Sequence, residues 1–251
     1  MSTHQPSIKL GSRFIQLLAV DSTNNYALEL LKQNLADSGT AIFAQEQTNG
    51  RGQMGKKWEA LQGENIILTI IADISTVYIQ NQFNLLAMAA LGCYDFFSKY
   101  AGNETAIKWS NDIYWKDKKA GGILIETTNH NNKRYAIVGI GININQTAFD
   151  ENLMNPVSLK QITGKNFKVV ELAKELCNCI DVWYNVLLSE NNHQLLTNYN
   201  SHLYKKNKEV TLKKGNIKFN CIIKCVNPSG ELQVENGLCD SFRFGEIEWI
   251  T

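Results

Sequence analysis

Hydrophobic and polar positions along this chain predict most of its elements before any composition is considered. Phe14–Val20 reads as a first strand, and Asp21-Ser22-Thr23 after it has the chemistry of a capped helix N-terminus. Ala27, Leu28, Leu30, Leu31 and Leu35 then recur near helical spacing. Thr40–Glu46 alternates as a strand, and Gln47–Trp58 is polar, Gly-rich and basic. Ile66–Ala72 is an unbroken apolar run, suited to a strand buried on both faces. Gln82–Tyr100 predicts a long core helix, with Leu85, Leu86, Met88, Ala89, Phe96 and Phe97 near helical spacing. Short strands follow at Ala106–Trp109, Asp112–Trp115, Gly121–Thr127 and Tyr135–Ile144, then a second long helix over Val169–Leu188. Strands this close together predict an α/β domain of the α+β type, with a mixed, largely antiparallel sheet and packed helices.

The pattern changes near residue 200. Ser189–Asn200 is polar and reads as the end of the helical region and a linker. Beyond it lie short strands at Glu209–Lys213, Ile217–Val226, Glu231–Glu235 and Gly245–Ile250, with turn chemistry at Asn227-Pro-Ser-Gly230 and Glu235-Asn-Gly237. The expected division is therefore 1–200 for the main domain and 201–251 for a small β-barrel.

Composition narrows the partners. The 251 residues are 44% hydrophobic and 20% charged, ordinary for a globular chain. A formal net charge of +1 supplies no global basic field, so nucleic acid is not the expected partner. The apolar run after Lys9 and Arg13 is too short for a signal peptide and carries Gln16. No stretch approaches the ~20 apolar residues of a membrane span, so a cytoplasmic protein is expected. Cys177 and Cys179 point to different helix faces, and Cys221 and Cys225 have no matching zinc-ligand spacing. Reduced thiols and no protein metal site are the expectation.

Three segments carry candidate chemistry. Gly50-Arg51-Gly52-Gln53-Met54-Gly55 fits the spacing of a dinucleotide fingerprint, but the segment after it, broken by Gly63, is too short for the required helix. With Arg51, Lys56 and Lys57 it reads better as a flexible anion-binding loop, and Trp58 could stack on a base. Asp112 and Lys119 lie across a hairpin, with Gly121-Gly122 entering the next strand. Lys116, Lys118 and Lys119 alone would suit a solvated tip, whereas paired glycines mark close approach by a ligand. Gly139-Ile-Gly-Ile-Asn143 strips one strand face of side chains and ends on an amide; tight packing of the strand would use the same glycines. Ser22, Thr23 and Asn24 could hold a polar head such as a cyclic urea as well as cap a helix.

In combination and in order, these motifs resemble the biotin–protein ligases from about Phe14 onward. That family has a GRGR-type loop, a KWPND hairpin with a lysine beyond its Asp, then G-I-L-x-E and G-x-G-I-N. Here the matching runs are Gly50-Arg51-Gly52-Gln53, Lys108-Trp-Ser-Asn111-Asp112, Lys119, Gly122-Ile-Leu-Ile-Glu126 and Gly139-Ile-Gly-Ile-Asn143. The resemblance implies that biotin and ATP form biotinyl-5′-AMP, and that a lysine of a biotin carboxyl carrier protein then displaces AMP. It implies biotin contacts at Ser22, Thr23, Gln47, Gly50, Arg51, Lys119 and Gly122. On the nucleotide side it implies Arg51, Trp58, Asn111, Lys119 and Asn143. The catalytic assignments are Arg51, Lys119 and Asp112, with Mg²⁺ accompanying ATP and no protein cage for it. An SH3-like C-terminal barrel and pairing of two copies through their sheets also accord with the resemblance.

Two departures stand out. Gln53 replaces the family's usual second Arg, which removes a cationic contact and puts retention of the adenylate in question. Ser110 replaces the family's Pro and restores a backbone N–H. The residues ahead of the first strand leave no room for a helix-turn-helix, so the expected protein is a ligase only. The related lipoate–protein ligases are the enzymatic alternative, although their Arg-Arg-x-Ser-Gly-Gly-Gly type loop is missing. A non-catalytic RNA- or protein-binding module is the alternative from another class, and it leaves the Gly-rich strands unexplained.

Overall fold

A computed structural model describes residues 8–78, 82–153 and 155–250. Its main sheet has seven strands in the order β1-β2-β3-β7-β6-β5-β4. These are β1 (Arg13–Val20), β2 (Thr40–Gln47), β3 (Asn65–Asp73), β4 (Thr105–Lys108), β5 (Asp112–Trp115), β6 (Lys118–His130) and β7 (Lys133–Asn143). Only β1 and β2 run parallel, joined through helix α1 (Thr23–Lys32), so the sheet is mixed and largely antiparallel as the pattern predicts.

Alternation on β7 fixes what each face of the sheet can do. Ala136, Val138, Ile140 and Ile142 join the large core beneath α2 (Gln82–Ala101) and α4 (Val169–Leu188). Tyr135 and Ile137 point the other way, into a smaller cluster with Ala27, Leu30 and Leu31 of α1. Gly139, Gly141 and Asn143 continue that second face, where Asn24 of α1 lies over Gly139 and the Trp58 ring over Gly141. Ladder partners share a face, so Gly141 lies beside Ile67 and Gly122, Gly139 beside Thr69 and Leu124, and Gly122 beside Asp112. The sheet thus has one side covered by α2 and α4 and, opposite, a side covered by α1 at one end and lined by glycines at the other.

Two sequence expectations change at the chain's second half. Ser189–Asn200 is not a linker: α5 (His193–Ser201) follows the short α3 (Leu159–Thr163) and α4, and it buries Leu195 and Tyr199 completely. Tyr199 donates its hydroxyl to the Ser110 carbonyl oxygen at 2.7 Å, a tertiary anchor that the polar local sequence conceals. Similarly, Leu35 lies beyond α1 and is exposed, because the helix stops at Lys32 and Asn34 turns left-handed.

The C-terminal strands β8 (Glu209–Lys214), β9 (Ile217–Val226), β10 (Leu232–Glu235), β11 (Ser241–Phe242) and β12 (Glu248–Ile250) make a five-stranded sheet ordered β11-β10-β9-β8-β12. This is a small antiparallel unit of the SH3-like kind. Among the described residues no ladder joins the edge strands β11 and β12 to close it into the predicted barrel. It docks on the main sheet where the Trp109 indole donates to the Gly230 carbonyl at 3.0 Å and packs edge-on against Phe244. The connecting residues also lie along β4, with Tyr204 N–H donating to the Ile107 carbonyl at 2.8 Å.

Candidate active site

The Gly-rich loop is a small hairpin rather than a strand-to-helix turn. Trp58 N–H donates to the Gly50 carbonyl at 3.1 Å and Gly52 N–H to the Lys56 carbonyl at 2.7 Å, with Met54 and Gly55 left-handed at the tip. No helix of dinucleotide-binding type follows, as the short segment requires. The fold-back swings Trp58 over β7. A Cβ on Gly141 would fall 2.2 Å from the indole Cε2, so bare backbone is what admits the ring. Three buried polar atoms of this loop lack a hydrogen-bond partner: Arg51 Nε, Gln53 Oε1 and the Trp58 indole nitrogen. Unsatisfied buried groups are costly, and three on one loop leave it with polar capacity that its own fold does not use.

At one end of the groove, Gln47 Oε1 accepts from Thr23 N–H at 2.8 Å and from the Thr23 hydroxyl at 3.0 Å. Ser22 holds the N-cap position of α1 in extended conformation, but its buried side chain makes no capping bond, contrary to simple capping. Ser22, Thr23 and Gln47 therefore bring hydroxyls and an amide together, as a ureido group would need. Gly50 sits beside them; a Cβ there would lie 2.2 Å from the Trp58 carbonyl oxygen and 2.9 Å from Gln47 Nε2.

At the other end, Lys119 Nζ meets Asp112 Oδ1 at 2.7 Å across the β5–β6 hairpin. Both lie over Gly122, whose absent side chain leaves room beside them. The exposed hairpin tip is also pinned: Asp117 takes Lys205 at 2.6 Å and the Tyr204 hydroxyl at 2.6 Å. Those two partners hold its carboxyl below the usual carboxylate range. Asn143 is buried on the same face and donates its amide to the Val157 carbonyl at 3.2 Å. Asn111 is near the groove, but its amide is used on the Ile123 carbonyl at 2.8 Å, clamping the Trp109–Asn111 turn to β6.

Sequence reasoning gave no role to three residues. Glu126 meets Arg51 at 2.7 Å and accepts from the Asn24 amide at 2.8 Å. Thr69 places its hydroxyl 2.7 Å from Asn24 Oδ1 and 2.8 Å from Thr23 Oγ1. The lone hydroxyl in the apolar run Ile66–Ala72 was a signal for Thr69, as was a carboxylate closing Gly122–Glu126. Lys108 is the third: its ammonium is buried on the Asp112 face, 3.0 Å from the Tyr114 hydroxyl, with the Trp249 ring at 5.1 Å. Burial pushes it down to about 8 from an ordinary 10.5, against the opposing pull of Asp112.

Comparison with known proteins agrees with this groove. The family described as Biotin/lipoate A/B protein ligase matches residues 17–143, from the middle of β1 to the end of β7, and includes every groove residue above. The bifunctional ligase/repressor BirA of Bacillus spizizenii is 32% identical over 179 residues, covering 70% of this chain and 54% of that protein. The biotin–[acetyl-CoA-carboxylase] ligase of Paracoccus denitrificans is 32% identical over 156 residues, covering 59% of this chain and 63% of that protein. The chain thus spans roughly half to two thirds of the length of these curated relatives. Among solved structures, the biotin protein ligase from Aquifex aeolicus in complex with biotin and ATP superposes with a TM-score of 0.77 at 26% identity. That match covers 94% of this chain and 98% of the other, so it includes the C-terminal sheet.

Proposed function

The chain belongs to the biotin/lipoate A/B protein ligase family, and on that footing we propose that it is an ATP-dependent biotin–protein ligase. The observation that carries this reading is the groove on one sheet face. A hydroxyl–amide cluster at Ser22, Thr23 and Gln47 shares a sheet face with Gly122 and the Lys119–Asp112 pair, with Asn24 set into bare Gly139 and the Trp58 ring over Gly141. That length and polarity suit an extended ligand with a ureido head and a carboxylate tail, meeting a nucleotide under Trp58. In this reading residues 1–200 form the ligase domain and 201–251 the appendage that closes one side of it.

In the first step a carboxylate oxygen of biotin attacks the α-phosphorus of ATP, and pyrophosphate leaves with the bonding electrons. Two anions must be brought together, and Arg51 and Lys119 neutralise the charge that builds on the phosphorus oxygens. Mg²⁺ arrives with ATP as the counter-ion of its phosphates; among the described residues no cluster of His, Cys, Asp and Glu forms a cage for it. In the second step the amine of a carrier lysine attacks the acyl carbon of the mixed anhydride, AMP departs, and the amine loses a proton. Asp112 is the proposed acceptor, and Lys119 would hold its carboxylate in place meanwhile. Asn143 and Trp58 are assigned to the nucleotide, and Asn111 acts there through its clamp on β6. The proposed acceptor is the carrier domain of a biotin-dependent carboxylase, and the proposed compartment is the cytoplasm, where such domains and ATP coincide.

The test is exchange of labelled pyrophosphate into ATP, with biotin and lipoate in parallel. Exchange with biotin alone is the expected result. Exchange with lipoate would transfer the assignment to the sister ligases of the same family. Silence with both, from folded protein and Mg²⁺, would refute an adenylating enzyme.

A further inference from the structure

A continuous line of hydrogen bonds joins the Gln47–Thr23 end of the groove to Arg51 through Thr69, Asn24 and Glu126. Gln47 accepts from Thr23, Thr69 lies between Thr23 and Asn24, Asn24 donates to Glu126, and Glu126 holds Arg51. Thr23, Asn24 and Thr69 are almost wholly buried, and Gly139 is bare where the Asn24 amide lies: a Cβ there would be 2.5 Å from its oxygen. Directions along the line follow from which atoms carry protons. A carboxylate only accepts, so Asn24 must turn its NH₂ toward Glu126 and its oxygen toward Thr69. The Thr23 hydroxyl proton is committed to Gln47 Oε1, which leaves Thr69 with one proton and two acceptors, Thr23 Oγ1 and Asn24 Oδ1. It can satisfy one at a time.

Resting on the ligase reading above, we infer that Glu126 is a positioning residue for Arg51, and that Asn24 and Thr69 couple it to the head-group pocket. Glu126 grips the guanidinium by Nη2 and leaves Nε buried and unpartnered. A guanidinium fixed by one nitrogen presents the rest of its fork in a set direction, which matters for a carboxylate or phosphate partner. A ligand N–H donated to Thr23 Oγ1 takes one of its two lone pairs and makes that oxygen a poorer acceptor for Thr69. The Thr69 proton then goes to Asn24 Oδ1, and the polarised amide donates more strongly to Glu126. Occupation of the pocket by the head group thereby firms the arginine that receives the tail.

The test is the dissociation constant for biotin measured by calorimetry, which needs no turnover, on wild type, Arg51→Ala, Glu126→Gln and the double variant. Arg51→Ala and Glu126→Gln are each expected to weaken binding about tenfold, the scale of a hydrogen bond to a charged group. The double variant is expected to be no weaker than Arg51→Ala, because Glu126 acts through Arg51. Thr69→Val, which keeps the volume and removes the proton, should weaken binding severalfold in wild type and not in Glu126→Gln. Multiplying losses, or a Glu126→Gln protein that binds as well as or better than wild type, would overturn the inference. Should Glu126→Gln fail to fold, Thr69→Val in the Arg51→Ala background decides by the same comparison. Absence of biotin binding by folded wild type would instead overturn the ligase reading.

Discussion

Replacing Gly141 by Ala tests whether the bare strand β7 is there for Trp58. The added Cβ would lie 2.2, 2.5 and 2.7 Å from indole atoms Cε2, Cζ2 and Nε1. Carbon contacts settle near ~3.5–4.0 Å, so the ring must retreat by more than about 1 Å. It cannot retreat alone. Trp58 N–H is bonded to the Gly50 carbonyl, and the Trp58 carbonyl already abuts the bare Cα of Gly50. The strain therefore passes to the 50–58 hairpin, while the β7 ladder itself is unaffected by a methyl group on the groove face. Overpacking of this kind costs about 1–3 kcal/mol, equivalent to roughly fivefold to hundredfold in affinity. Because the loop rather than the core yields, the loss should fall on the nucleotide. The expected result is a KM for ATP raised about tenfold in biotin-dependent exchange, with the melting temperature within a few degrees of wild type. Adding Gly141→Ala to Trp58→Ala should cost nothing more. An unchanged KM for ATP, or an equal penalty in both backgrounds, would refute the reasoning.

Lys119→Ala should lower adenylate formation by about 10²–10³, as when one charge-stabilising donor is removed; near-normal exchange would take Lys119 out of that role. Residues Thr48–Trp58 should be cut readily by protease in the free protein and protected by biotin with ATP, and equal cleavage in both states would refute loop closure. Lys108→Met should raise thermal stability most at neutral pH. The buried ammonium titrates near 8 in the folded protein and near 10.5 when unfolded, so its penalty is fully present below pH 8. Between those values the unfolded chain holds the extra proton, wild type gains stability as pH rises, and the difference between the two proteins should shrink by a few kcal/mol. Melting curves from pH 7 to 10 check this, and a pH-independent difference would contradict it.

What the sequence determined was local. Two-residue alternation in Tyr135–Ile144 already separates an apolar face from Gly139, Gly141 and Asn143, and the structure keeps both faces. Asp112 and Lys119 flank a two-residue tip at Lys116 and Asp117, so a hairpin must bring them near each other whatever surrounds it. Turn chemistry likewise placed most of the C-terminal strands. The tertiary structure decided which polar residues share the groove. Asn24 and Glu126 are 102 residues apart, and Arg51 and Glu126 are 75 apart. They meet only because β7 inserts between β3 and β6, and because register turns Thr69, Gly139 and Glu126 to one face. Strand order and register belong to the assembled sheet and leave no periodic trace in any one segment. For the same reason α5 and the burial of Lys108 escaped the sequence: Tyr199 and Trp249 are anchored by partners across the fold, which outweigh the polar character of their own neighbourhoods.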